Sequence, residues 1–123
     1  MSQPLELYLS ALSSTQAEVV CTLRALILQA VPGVVEDITR ERIRYDRQGP
    51  VCVLRAQDAH VELLFPRGRE LVEALGIPPA RHLGRLKIHH AEDIWPELFQ
   101  TLIQDAVELN RPTPPRMAGL RAG

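Results

Sequence analysis

Two short runs in the middle of the chain constrain its architecture most. Val51-Cys-Val-Leu-Arg-Ala56 and His60-Val-Glu-Leu-Leu-Phe65 are rich in strand-forming residues, and the turn-like Gln57-Asp58-Ala59 separates them. This pattern predicts an antiparallel hairpin. The segment before it, Val35 to Tyr45, reads as a further strand, joined to the hairpin through Arg47-Gln-Gly-Pro50. Leu86-Lys-Ile-His89 reads as the fourth.

Helical periodicity flanks these strands. Leu5, Tyr8, Leu9 and Leu12 recur at i, i+3, i+4 and i+7, the spacing of a short amphipathic helix. A second helix carries Val19, Val20, Leu23, Leu26, Ile27 and Ala30 on one stripe, and Pro32-Gly33 ends it. Two capping boxes compete for its start, Ser13-x-x-Gln16 and Thr15-x-x-Glu18. Glu70–Leu75 reads as a short helical turn stopped by Gly76 and Pro78-Pro79. The last helix opens near Pro96, buries Leu98, Phe99, Leu102, Ile103, Ala106 and Leu109, and stops at Asn110 and Pro112. The expected class is α+β: a small two-layer sandwich with helices packed on one mostly antiparallel sheet of about four strands. The expected domain spans residues 1–110. Residues 111–123, with three prolines in four positions, read as a disordered Pro/Arg-rich tail.

The 123 residues carry a net charge of −1, but the charge is segregated. Residues 1–39 sum to −3, residues 40–90 to +4, residues 91–110 to −5 and residues 111–123 to +3. Thirteen of the fourteen cations are arginine, a side chain suited to bidentate contact with planar anions. Near-neutrality and only five aromatic residues disfavour strong nucleic-acid binding. The first twelve residues lack a signal-peptide pattern and no run is long enough to span a membrane, so no membrane association and a cytoplasmic location are expected. Two cysteines, Cys21 and Cys52, are too few for a disulfide framework.

An ordered series of motifs resembles a family. Tyr8-Leu9-x-x-Leu12 is followed by Leu26-Ile27-x-x-Ala30-x-Pro32, and Gly49-Pro50 precedes Val51-Cys-Val-Leu. His60-Val-Glu-Leu-Leu-Phe65-x-x-Gly68, Gly84-Arg85-Leu86-Lys87-Ile88, Glu92-Asp93-Ile94 and Leu102-Ile103-x-x-Ala106-Val107-x-Leu109-Asn110 complete the series. Over roughly residues 5–110 the chain resembles the YdhG-like domains, domain of unknown function 1801 (DUF1801). The resemblance implies a small α/β sandwich. For some members it implies frataxin-like iron chaperoning through exposed carboxylates. Many members carry a Gly-Met-Pro-like element in the first strand region. Here Ile38-Thr-Arg-Glu-Arg-Ile-Arg-Tyr45 has neither Gly nor Pro, which favours a straighter strand.

Several groups of residues carry potential chemistry. On a single strand, Arg40, Arg42 and Arg44 would share one face, as an anion-binding ridge or as a solvated surface. Arg67-Gly68-Arg69 and Arg81-His82-Leu83-Gly84-Arg85 with Lys87 flank the same short helix. Glycine admits an anion close to the backbone and arginine supplies the fork, so Arg67, Gly68, Arg69, Arg81, His82, Gly84, Arg85 and Lys87 are the expected ligand-binding residues. Neither segment is a phosphate-binding P-loop. His89 and His90 are adjacent and would point to opposite strand faces, which hinders chelation by the two. His60 or His82 would have to join one of them. Glu97, Asp105 and Glu108 form a thin acidic stripe on the last helix and are the weak metal candidates. No Cys-x-x-Cys and no Gly-x-Ser-x-Gly elbow is present, so nucleophilic catalysis has no support.

The leading expectation is non-catalytic binding of a small anionic ligand or a protein partner, with no cofactor. Iron delivery is the alternative, and an enzyme of unknown chemistry near His82 and His89 the second. An exposed apolar patch beside the sheet would mark a homodimer.

Overall fold

A computed structural model describes residues 3–75 and 84–111, with no account of the side chains of residues 72–75. Helix α1 spans Gln3–Ser10 and α2 spans Ser14–Ala30. Five strands follow: β1 Val35–Ile38, β2 Ile43–Asp46, β3 Pro50–Gln57, β4 His60–Leu64 and, after helix α3 (Gly68–Leu75), β5 Arg85–Ile88. A 3₁₀ turn, Ala91–Asp93, leads to α4, Pro96–Leu109. The strands pair in chain order, every neighbour antiparallel. Among the described residues no helix is long and apolar enough to cross a membrane.

The α+β architecture agrees with the sequence, and the sheet has five strands because Val35–Tyr45 is two strands rather than one. Thr39 causes the division. Its backbone N–H donates to the Arg42 carbonyl at 2.9 Å, and its hydroxyl accepts from the Glu41 and Arg42 amides at 3.3 Å each. This side-chain turn folds β1 back on β2, pairing Ile38 with Ile43. Arg40, Arg42 and Arg44 therefore do not form a ridge on one strand: Arg40 and Arg42 lie in the turn and only Arg44 lies in β2. A second turn joins β2 to β3, with Gln48 at φ 59° and Gly49 at φ 134°. At Gly49 the backbone is one that side chains rarely adopt.

Ser13 resolves the competition at the start of α2. Its hydroxyl accepts from the Gln16 N–H at 3.1 Å, and Gln16 Oε1 accepts from the Ser13 N–H at 3.2 Å. The same Gln16 reaches across to the sheet. Its Nε2 donates to the Gln57 carbonyl at 2.6 Å and lies 3.3 Å from the Asp58 and His60 carbonyls, which pins α2 to the β3–β4 turn.

Helices α2 and α4 touch each other and pack on one sheet face, α2 against β4 and α4 against β3. Val19, Val20, Leu23 and Ile27 from α2 meet Phe99, Leu102, Ile103 and Ala106 from α4 in the core. Alternate sheet residues supply the other wall: Ile43, Tyr45, Cys52, Leu54, Val61, Leu63 and Ile88. A partly buried polar link ties the layers together. Arg24 grips Glu36 with Nε at 2.8 Å and Nη2 at 3.1 Å, and the fully buried Tyr45 hydroxyl donates to the same carboxylate at 2.7 Å. Burial, and then the hydrogen bond to Glu36, push the Tyr45 phenol far above its ordinary range.

Candidate functional site

Unequal strand lengths create a notch. Strand β2 pairs with β3 only as far as Leu54, opposite Ile43, while β3 runs on to Gln57. On that side the Ala56 amide has no strand partner. Tyr8 of α1 replaces it: the Ala56 N–H donates to the Tyr8 hydroxyl at 3.2 Å. The notch that remains is a cleft of about 580 Å³, within the usual range for small-ligand sites. Tyr8 of α1 and Ala11 and Leu12 of the turn after it form one wall, Arg40, Glu41 and Arg42 of the β1–β2 turn another, and Arg55, Ala56 and Gln57 of β3 the third.

The lining holds three arginines and one acidic residue, Glu41, and the Asp37 carboxylate stands beside Arg42. Among the described residues Arg40 and Arg55 make no ion pair, and Arg42 is held only loosely. Arg42 Nη1 is 3.6 Å from Asp37 Oδ2, too far for a hydrogen bond, and is buried without a hydrogen-bond partner. Burial pushes the Tyr8 phenol above its ordinary value, an effect partly offset by the Ala56 amide and the Arg55 charge. The phenol therefore stays protonated at neutral pH. Its oxygen already accepts from Ala56, so its proton is available to an acceptor in the cleft.

The ligand residues expected from sequence fall elsewhere, and the fold uses several of them. Arg67 is an internal strut. Its Nε and Nη2 engage Glu70, and its Nη1 donates to the Leu109 carbonyl at 2.5 Å and to Asn110 Oδ1 at 3.0 Å. The hydrogen bonds from Arg67 hold the Glu70 carboxyl below its ordinary value. Gly68 and Gly84 stack backbone on backbone where β4 meets β5. The Phe65 N–H donates to the Gly84 carbonyl at 2.8 Å, and a Cβ on Gly68 would lie 2.6 Å from Gly84 Cα. Their spacing serves this close approach. Arg69 is exposed on α3. Arg81 and His82 lie outside the described residues.

Arg85 and Lys87 lie on the sheet face opposite the helices, around Glu62. Glu62 is only 6% exposed, stands opposite both Arg55 and Lys87 in the ladders, and forms an ion pair with Arg85 at 3.3 Å. The Arg85 charge compensates a buried carboxylate. On the same face the His60 and His89 rings sit 5.5 Å apart. The weak metal candidates are Glu97 and Glu108, both exposed, and the half-buried Asp105, all on α4. Glu108 pairs with Arg111 at 3.4 Å. Among the described residues no three His, Cys, Asp or Glu side chains converge to hold a metal ion. Cys21 is exposed, and burial pushes the Cys52 thiol above its ordinary value.

Sequence reasoning found Arg40 and Arg42 as anion candidates but placed them on a strand. It missed Arg55 and the Tyr8 hydroxyl. Tyr8 read as a core aromatic, and Arg55 as one charge within an apolar run. No protein-family model, curated protein or solved structure matches the chain.

Proposed function

We propose that this protein binds a small anionic ligand in the cleft between α1, the β1–β2 turn and the end of β3. The observation that carries this reading is the lining of the cleft by Arg40, Arg42 and Arg55, of which, among the described residues, Arg40 and Arg55 make no ion pair and Arg42 only a 3.6 Å pair with Asp37. An oxyanion seated between these side chains would accept charge-assisted hydrogen bonds from their guanidinium groups. Tyr8 supplies a neutral donor beside it. The role of the site is recognition. The resemblance to the YdhG-like domains belongs to the same proposal and rests on the order and spacing of its motifs.

Thermal unfolding in a panel of phosphorylated and carboxylated metabolites tests the reading. A ligand at about 100 times its Kd adds about 2.7 kcal/mol of stability. That gain should vanish in Arg42→Gln and Arg55→Gln while Arg85→Gln keeps it. No stabilisation by any member of the panel, or equal loss in all three variants, would refute the proposal.

A further inference from the structure

A second cleft adjoins the basic one. It measures about 390 Å³ and is lined by Pro4, Leu7, Tyr8, Ala11, Ile38, Thr39 and Arg40. Tyr8, Ala11 and Arg40 belong to both walls. The two halves differ in chemistry. One gathers Arg40, Arg42 and Arg55. The other is formed mainly by Pro4, Leu7, Ala11 and Ile38. Leu7 is 64% exposed on α1, so an apolar group seated there would remove apolar surface from water. The Tyr8 ring stands at the junction, with its hydroxyl at the basic end. Arg40 lies at the same junction, in the turn that separates β1 from β2.

Resting on the anion-binding reading, we infer that the ligand is an amphipathic organic anion: a compact carboxylate head held by Arg40, Arg42, Arg55 and Tyr8, with a short apolar arm lying over Leu7 and Ile38. The charge of the first cleft fixes the head, and the shared residues fix where the arm leaves it. Inorganic phosphate or acetate would satisfy the head alone. A carboxylate with an alkyl arm would satisfy both halves, and each methylene fully buried should tighten binding about fourfold. The groove is open, so a smaller gain per methylene is expected, and octanoate should bind at least tenfold more tightly than acetate.

Titrations of the full chain with acetate, inorganic phosphate and octanoate, followed by amide and arginine side-chain NMR shifts, test this. Leu7→Ser, at an exposed position, removes apolar wall without touching the core. The inference predicts that Leu7→Ser weakens octanoate several-fold and leaves acetate unchanged, while Arg42→Gln weakens both. If acetate, phosphate and octanoate bind equally at the arginines, the amphipathic ligand is refuted and the anion site stands. If octanoate binds but Leu7→Ser has no effect, the arm lies elsewhere and the inference fails. If none of the three shifts Arg40, Arg42 or Arg55, both readings fail.

Discussion

Replacing Gly68 by alanine should destabilise the fold, while the same change at Gly84 should be nearly silent. The two glycines face one another, but their surroundings differ. A Cβ on Gly68 would sit 2.6 Å from Gly84 Cα and 3.3 Å from Gly84 N, both backbone atoms. A rigid neighbour cannot rotate away, so the start of β5 must separate from the start of α3. Overpacking of this kind costs about 1–3 kcal/mol. Alanine is the better helix former, and this offsets several tenths at the first position of α3. The net loss should be about 1–2 kcal/mol. Among the described residues a Cβ on Gly84 would meet nothing nearer than the Phe65 carbonyl oxygen at 3.8 Å and Gly68 Cα at 3.9 Å, which is ordinary contact. Its cost should stay within about 0.5 kcal/mol. Urea unfolding of both variants measures the difference, and Gly68→Ala should also lower Tm by roughly 3–10 °C. Equal effects, or a larger loss at Gly84, would refute the close-approach account. An unchanged Gly68→Ala protein that loses anion binding would instead restore Gly68 to a ligand-binding role.

Four further outcomes follow from the polar contacts. Glu36→Ala strands the buried Tyr45 hydroxyl and the Arg24 fork, and should cost about 1–3 kcal/mol in chemical denaturation. Asn110→Ala removes the donor to the Pro50 carbonyl at 2.8 Å and the acceptor for Arg67 at 3.0 Å, and should cost a similar ~1–3 kcal/mol by the same assay. The folds around Tyr8 and Tyr45 favour the neutral phenol, so above the ordinary value of 10.0 the unfolded chain loses protons that the folded chain keeps. Stability should therefore be insensitive to these groups below that pH and fall as pH rises past it, and Tyr45→Phe should flatten the alkaline slope of Tm against pH. A thiol reagent should label Cys21 rapidly in the native protein and Cys52 only on unfolding, as mass spectrometry would show.

How much was legible in the sequence follows from the range of each interaction. The helices and the β3–β4 hairpin were readable because periodicity and turn residues are local. The stop at Asn110 was readable, but its grip on the Arg47 and Pro50 carbonyls, some sixty residues away, was not. The Thr39 turn escaped notice because its hydrogen bonds come from a threonine side chain, with no glycine, proline or asparagine to signal it. That one turn turns a ridge of alternating arginines into a cleft wall. Arg67 and Gly68 matched the chemistry of an anion loop, yet the described fold engages both in packing that only tertiary structure reveals. The cleft itself depends on β3 outrunning β2, a register property that composition does not encode.

Arginine Nε–Hε resonances followed through a titration with inorganic phosphate give the most direct measure of the central claim. The account predicts saturable shifts at Arg40, Arg42 and Arg55, with Arg67 and Arg85 still. Saturable shifts centred on Arg69 and Arg85, or no saturable shift at any arginine, would contradict it.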